Sequence, residues 1–160
     1  MILIALGANL PSSAGPPAAT LTAALARLEE RGIKILAVSS FYETPAWPDP
    51  HLPAFVNAVA VIQTELLPAQ LLALLHKVEA EFGRIRSRPN VPRSLDLDLL
   101  DYDGLVTGEG LALPHPRIAE RGFVLVPLAE IVPGWRHPET GAGIADLLAA
   151  LPDRGGVERL

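Results

Sequence analysis

Asp96 and Asp98 alternate with leucines in RSLDLDLL, residues 93–100. Strands disfavour aspartate, yet the pattern reads as a strand. Alternation puts Leu95, Leu97 and Leu99 on one face and both aspartates on the other. Carboxylates two residues apart on a strand stand roughly 6–7 Å apart at Cα. They can lean together onto a hard cation, and Mg²⁺ commonly takes one or two carboxylates together with substrate phosphates. Two such ions about 3.5–4 Å apart would suit in-line displacement at phosphorus. The bland alternative is a solvated strand face. Against it stand Arg84, Arg86, Arg88 and Arg93, four arginines within ten residues of an otherwise acidic chain. Guanidinium forks bind phosphate oxygens bidentately, and cations converging with carboxylates are what a polyphosphate–Mg²⁺ complex requires.

Other residues could serve a second ligand. Asn57 lies mid-strand among apolar neighbours, and a buried amide needs partners. Phe55 falls two residues earlier on the same face. An aromatic beside an amide suits a flat, hydrogen-bonding heterocycle. His115 sits between Pro114 and Pro116, which stiffen the backbone around it. Arg121-Gly122-Phe123 follows closely and could add a cation and an aromatic face. His76 and Glu79 are three apart in a helical stretch and therefore neighbours on its flank.

Several chemistries are excluded. No glycine-rich run leads to Gly-Lys-Ser/Thr, and GEGLAL lacks a dinucleotide fingerprint. With no cysteine in the chain, there is no disulfide framework, thiolate zinc site or cysteine nucleophile. A net charge of −5 argues against a broad nucleic-acid surface. No apolar run approaches the roughly 18–20 residues that span a bilayer. MILIALGANL reads as a first strand and not a signal peptide. The expectation is a cytoplasmic protein without membrane or nucleic-acid partners; nothing in the sequence reports its oligomeric state, and a monomer is the default expectation.

The elements that must position these groups follow from pattern. At 160 residues, 49% hydrophobic and 19% charged, one soluble domain over 1–160 is the simplest reading. Residues 2–8 read as a buried strand. Leu21, Leu25 and Leu28 repeat at helical spacing between Pro17 and Gly32. Strands follow at 33–44 and 54–64, separated by the proline-rich 45–53. A second helix runs from Pro68, with Leu71, Leu75, Val78 and Phe82 on one face, to Gly83. The arginine loop 84–94 leads into the strand 95–103. Residues 105–113 suggest a hairpin return and 114–116 a rigid corner. One helical turn fits 117–121, and 143–151 reads as a short terminal helix. The apolar 123–132 is ambiguous, because Pro127 argues against a central strand. The βαββαβ order predicts an α+β, ferredoxin-like sandwich, with helices covering one face of a mostly antiparallel sheet and the other face open for a site.

At this point the chain resembles the 6-hydroxymethyl-7,8-dihydropterin pyrophosphokinases of folate biosynthesis. The matching pieces are IALGANL, VSSFYETPA, FVNAV, VEAEFGRIR, PRSLDLDLL and LPHPRIAERGFVLVPLAEI, in the family's order and spacing over most of residues 1–133. The resemblance implies transfer of pyrophosphate from ATP to the pterin's hydroxymethyl oxygen, releasing AMP, with two Mg²⁺ ions. It implies that Asp96 and Asp98 bind metal and, with Arg84 and Arg93, carry the catalysis. His76, Glu79, Arg86, Leu99, His115 and Arg121 would join those arginines around ATP. Gly7, Thr44, Pro45, Trp47, Phe55, Asn57, Asp96 and Phe123 would hold the pterin, Asn57 reading the ring between the two phenylalanines. The chain departs from the family in places. Ala8 stands where the family's GSNL carries serine, the loop before Arg93 lacks a tryptophan that some members have, and Pro116 replaces a tyrosine of some members. Two other functions would use parts of the same residue set: a metal-dependent phosphohydrolase needing no pterin, and a non-enzymatic small-molecule-binding domain on the same fold.

Overall fold

The computed structural model describes residues 1–46, 49–83, 94–108 and 110–160. Among these, the elements run β1 (Ile2–Ala8), α1 (Pro17–Glu30), β2 (Lys34–Val38), β3 (Tyr42–Thr44), β4 (Phe55–Gln63), α2 (Pro68–Glu81) and β5 (Asp96–Tyr102). A 3-10 turn (Ile118–Glu120), α3 (Gly122–Ile131), α4 (Ile144–Ala150) and β6 (Glu158–Arg159) follow. Both long helices open on a proline at their first position, where the missing N–H costs nothing. At the start of α2, Gln70 Oε1 accepts the Leu67 N–H at 2.9 Å.

Among the described residues, β4 lies in the middle of the sheet, and β1 lies between it and the edge strand β5. β1 pairs antiparallel with β4 on one side and β5 on the other. The outer edge of β4 takes β2 and β3, and β6 adds beyond β3. The expected strand over 33–44 is two strands, broken around Ser39. There the Ser39 N–H donates to the Val59 carbonyl at 2.9 Å, and the Ser39 hydroxyl accepts the Val59 N–H at 3.0 Å. A side chain thus replaces one ladder bond at the break. The 105–113 return is a single antiparallel bridge, Thr107 to Leu113.

The α+β class and the mostly antiparallel sheet agree with the sequence reading. On the first face, Leu21, Leu28, Leu71, Leu75 and Val78 of α1 and α2 pack with Leu6, Leu97 and Leu99. The second face is not left bare, as helices over one face alone would require. Val124, Leu125 and Leu128 of α3, with Trp135 and Ile144, cover Leu3, Val59 and Leu100. The ambiguous 123–132 is therefore helical, although Pro127 lies inside α3. An interior proline costs about 3 kcal/mol, whereas each fully buried leucine or valine contributes about 1.5–3 kcal/mol. Three such residues outweigh it.

A register shift where β1 meets β5 puts Ile4 opposite Leu99 and Leu3 opposite Asp101. Such a bulge lets two consecutive residues share a face. Leu100 packs into the second core, and buried Asp101 also turns that way, accepting the Trp135 indole N–H at 2.9 Å. Asp96 and Asp98 lie on this same face of β5, with Asp98 beside Arg121 at the start of α3.

Candidate active site

A pocket of about 430 Å³ lies on the uncovered part of the second face. Its floor is a row across three strands. Gly7 of β1 pairs with Asn57 of β4 on one side and with Asp96 of β5 on the other. Two residues along, Ala5 pairs with Val59 and Asp98. With neighbouring strands spaced ≈ 4.8 Å, the amide-bearing and carboxylate-bearing strands are about 10 Å apart. The small residues between them leave a trough.

Asn57 forms one end. It is buried, and its Nδ2 donates to Thr44 Oγ1 at 3.1 Å. A Cβ on Gly7 would meet Asn57 Oδ1 at 2.9 Å, so glycine is what lets the amide lie over β1. Phe55 and Thr44, cross-strand partners of each other, lie beside it, and Pro45 and Phe123 also line the pocket.

The other end is charged. Asp96 and Asp98, both half-buried, face the pocket. Arg121 Nη1 stands 3.6 Å from Asp98 Oδ2, and its guanidinium carbon lies 5.4 Å from the centre of the Phe123 ring. Arg121 therefore lies between the Asp98 carboxylate and the Phe123 ring. His115, which is not part of the pocket lining, is anchored beside β5, donating its backbone N–H to the Leu100 carbonyl at 2.8 Å. Burial and then the Arg121 charge lower its pKa to about 4, against a smaller opposing effect of Asp96. The ring is thus neutral near pH 7. Its Nδ1 accepts the Arg117 N–H at 3.1 Å, which leaves Nε2 as the N–H donor.

Three further sequence candidates lie elsewhere. Leu99 is core, 3% exposed, so its side chain does not reach a ligand in the pocket. Glu79 is 1% exposed and points from α2 to β5, its Oε2 accepting the Leu97 N–H at 2.8 Å. That N–H lies on the outer edge of β5, which no other strand covers among the described residues, and a carboxylate satisfies it. Glu79 thereby holds the residue between the two aspartates. His76 lies half-buried on the same helix, away from the pocket lining. Arg84, Arg86, Arg93 and Trp47 fall outside the described residues.

The structure adds residues that the sequence reading missed. Arg117 and Glu120 line the charged rim, paired at 3.4 Å; their three-residue spacing in a helical turn just before Arg121 was the available signal. Asp153, Arg154 and Gly155 also line the pocket, and nothing in DRGG pointed to it. Among the described residues, no three His, Cys, Asp or Glu side chains cluster as a metal site. The aspartate pair alone offers only hard oxygen donors, which suits a cation that completes its shell from substrate phosphates. Among the described residues, no helix is long and apolar enough to cross a membrane.

The chain matches the family described as 7,8-dihydro-6-hydroxymethylpterin-pyrophosphokinase (HPPK) over residues 3–133. It is 43% identical to a 2-amino-4-hydroxy-6-hydroxymethyldihydropteridine pyrophosphokinase of Methylorubrum extorquens over 95% of this chain and 96% of the relative. A protein of the same description from Pseudomonas aeruginosa is 39% identical, over 99% and 96%. The folic acid synthesis protein fol1 of Pneumocystis carinii is also 39% identical, over 95% of this chain but 20% of that much longer one. Among solved structures, wild-type Plasmodium falciparum HPPK-DHPS superposes with a TM-score of 0.71 at 15% identity, over 92% of this chain and 40% of that one. That likeness speaks to the fold.

Proposed function

The chain belongs to the 7,8-dihydro-6-hydroxymethylpterin-pyrophosphokinase family, and we propose that its pocket transfers pyrophosphate from ATP to 6-hydroxymethyl-7,8-dihydropterin, releasing AMP. The row Asn57–Gly7–Asp96 carries this reading. The Asn57 amide lies about two strand spacings from the Asp96 carboxylate with only glycine between, a span that would suit a heterocycle read by the amide beside a metal–phosphate group. The pterin would lie over Gly7, its edge on Asn57 and its faces on Phe55 and Phe123. Its hydroxymethyl group would then point toward Asp96.

Asp96 and Asp98 would hold Mg²⁺, which when bound offsets negative charge on the phosphates. Arg121 and the Nε2–H of His115 would stabilise the phosphoryl oxygens from the same side, with Arg84 and Arg93 as further phosphate contacts. Such catalysis is mainly positioning and electrostatics, with no strong general base required. Glu79 would act as a positioning residue through the Leu97 amide.

One assay tests the reading. Supply ATP, Mg²⁺ and the reduced pterin, and measure AMP with each component omitted in turn. AMP formed only with all three supports pyrophosphoryl transfer. Release without pterin favours a phosphohydrolase, and no turnover with ligand uptake favours a binding domain.

A further inference from the structure

The family match ends at residue 133, yet Asp153, Arg154 and Gly155 line the pocket. Three attachments put this segment there. At one end it lies against the start of α3, where a Cβ on Gly122 would meet the Arg154 carbonyl oxygen at 2.4 Å and its carbon at 2.9 Å. These are backbone atoms, so nothing larger than glycine fits at 122 without moving the segment. At the other end Gly156 abuts Pro45, where a Cβ would meet the proline ring at 3.3 Å. Beyond it, β6 pairs with β3, Arg159 opposite Tyr42 and Glu158 opposite Glu43, and the Leu160 N–H donates to the Phe41 carbonyl at 2.9 Å.

These contacts adjoin residues on two sides of the pocket, since Gly122 also follows Arg121, whose Nη1 stands 3.6 Å from Asp98 Oδ2. Gly122 precedes Phe123, and Pro45 follows Thr44, which orients Asn57. The segment spans between them along the pocket lining. Asp153 Oδ1 accepts the Gly155 N–H at 2.6 Å, a local turn that shapes the span. We propose that Asp153–Gly156 is a positioning and specificity-determining wall for the heterocycle. It fixes the separation of Phe123 and Thr44 and limits what the ring can carry on that side. The proposal rests on the pterin reading of the pocket.

Its test uses the full chain and two variants that act on opposite ends of the segment. Gly122→Ala pushes it away from α3. Deletion of residues 157–160 removes the β6 anchor and leaves 153–156 in place. Affinities for the reduced pterin alone and for a non-hydrolysable ATP analogue alone are measured by titration. Each variant is expected to weaken the pterin about tenfold, a loss of 1.4 kcal/mol, and the ATP analogue by less than about twofold. The two changes combined should cost little more than either, because both release one wall. Equal weakening of both ligands, or pterin affinity unchanged in folded variants, overturns the proposal. Hydrogen exchange of residues 152–160 in the unaltered chain gives a readout that does not depend on either variant folding. Protection should rise with the pterin and not with the ATP analogue; the reverse, or no change with either, also overturns it. An unaltered chain that takes up no pterin overturns both this proposal and the reading beneath it.

Discussion

Gly7 and Asn57 are cross-strand partners in van der Waals conflict with any larger residue at position 7, since a Cβ there would stand 2.9 Å from Asn57 Oδ1. The amide occupies the space above the glycine, held by its bond to Thr44. A missing side chain in the middle of the sheet is therefore part of the site.

Gly7→Ala is expected to turn the Asn57 amide away while the strand stays paired. Overpacking of this kind costs about 1–3 kcal/mol. Here it should appear mainly as a pterin KM raised roughly tenfold or more, with the KM for ATP nearly unchanged. Steady-state kinetics with each substrate varied separately check this. Equal rises in both constants would mean that the amide is not the pterin's reader.

Glu79→Ala leaves the buried Leu97 N–H without its acceptor. Loss of a charge-assisted bond at a buried amide costs about 2–3 kcal/mol. For a chain of this size that lowers Tm by roughly 5–10 °C. Glu79→Gln keeps an acceptor oxygen and should lose less than half as much. Calorimetry on both variants decides, and equal losses would show that the hydrogen bond is not what Glu79 contributes.

Stability should fall on mild acidification through His115. Its folded-state pKa of about 4 lies below the free value near 6.5, so the unfolded chain binds the extra proton first. Stability contributed by the neutral ring is present above about pH 6.5 and is lost as pH falls toward 4. Glu130 acts at lower pH. Despite an opposing effect of burial, hydrogen bonds from Tyr42 and Ser40 hold its carboxyl below the usual range. Its contribution is present above the free pKa and lost as pH falls through the folded one. Denaturant titrations between pH 4 and 7 should show the first slope, and His115→Asn should flatten it. An unchanged slope in that variant would contradict the assignment.

Much of this was legible in the sequence because it follows from period. The alternation through 95–99 separates aspartates from leucines, and the structure keeps them on opposite faces. The helical spacings at Leu21, Leu25 and Leu28 and at Leu71, Leu75 and Val78 also hold. What was not legible depends on tertiary contacts. Pro127 argued against a strand but could not show that burial of Val124, Leu125 and Leu128 carries a helix across it. The bulge that brings Leu100 and Asp101 to one face needs β1 opposite. Glu79 reads as an ordinary helix-flank carboxylate until the edge of β5 arrives beside it. The segment after Leu151 has no periodicity, and only its contacts with Gly122 and Pro45 give it a place.

The central claim is that Asp96 and Asp98 serve phosphoryl transfer to a pterin bound at Asn57. Single-turnover AMP formation by the unaltered chain, by Asp96→Asn and by Asp98→Asn, each with ATP, Mg²⁺ and reduced pterin, tests it most directly. The account predicts a fall of at least about 100-fold in each variant, equivalent to 2.7 kcal/mol or more of transition-state stabilisation, with pterin affinity at the Asn57 end largely kept. Near-normal turnover in both variants would contradict it.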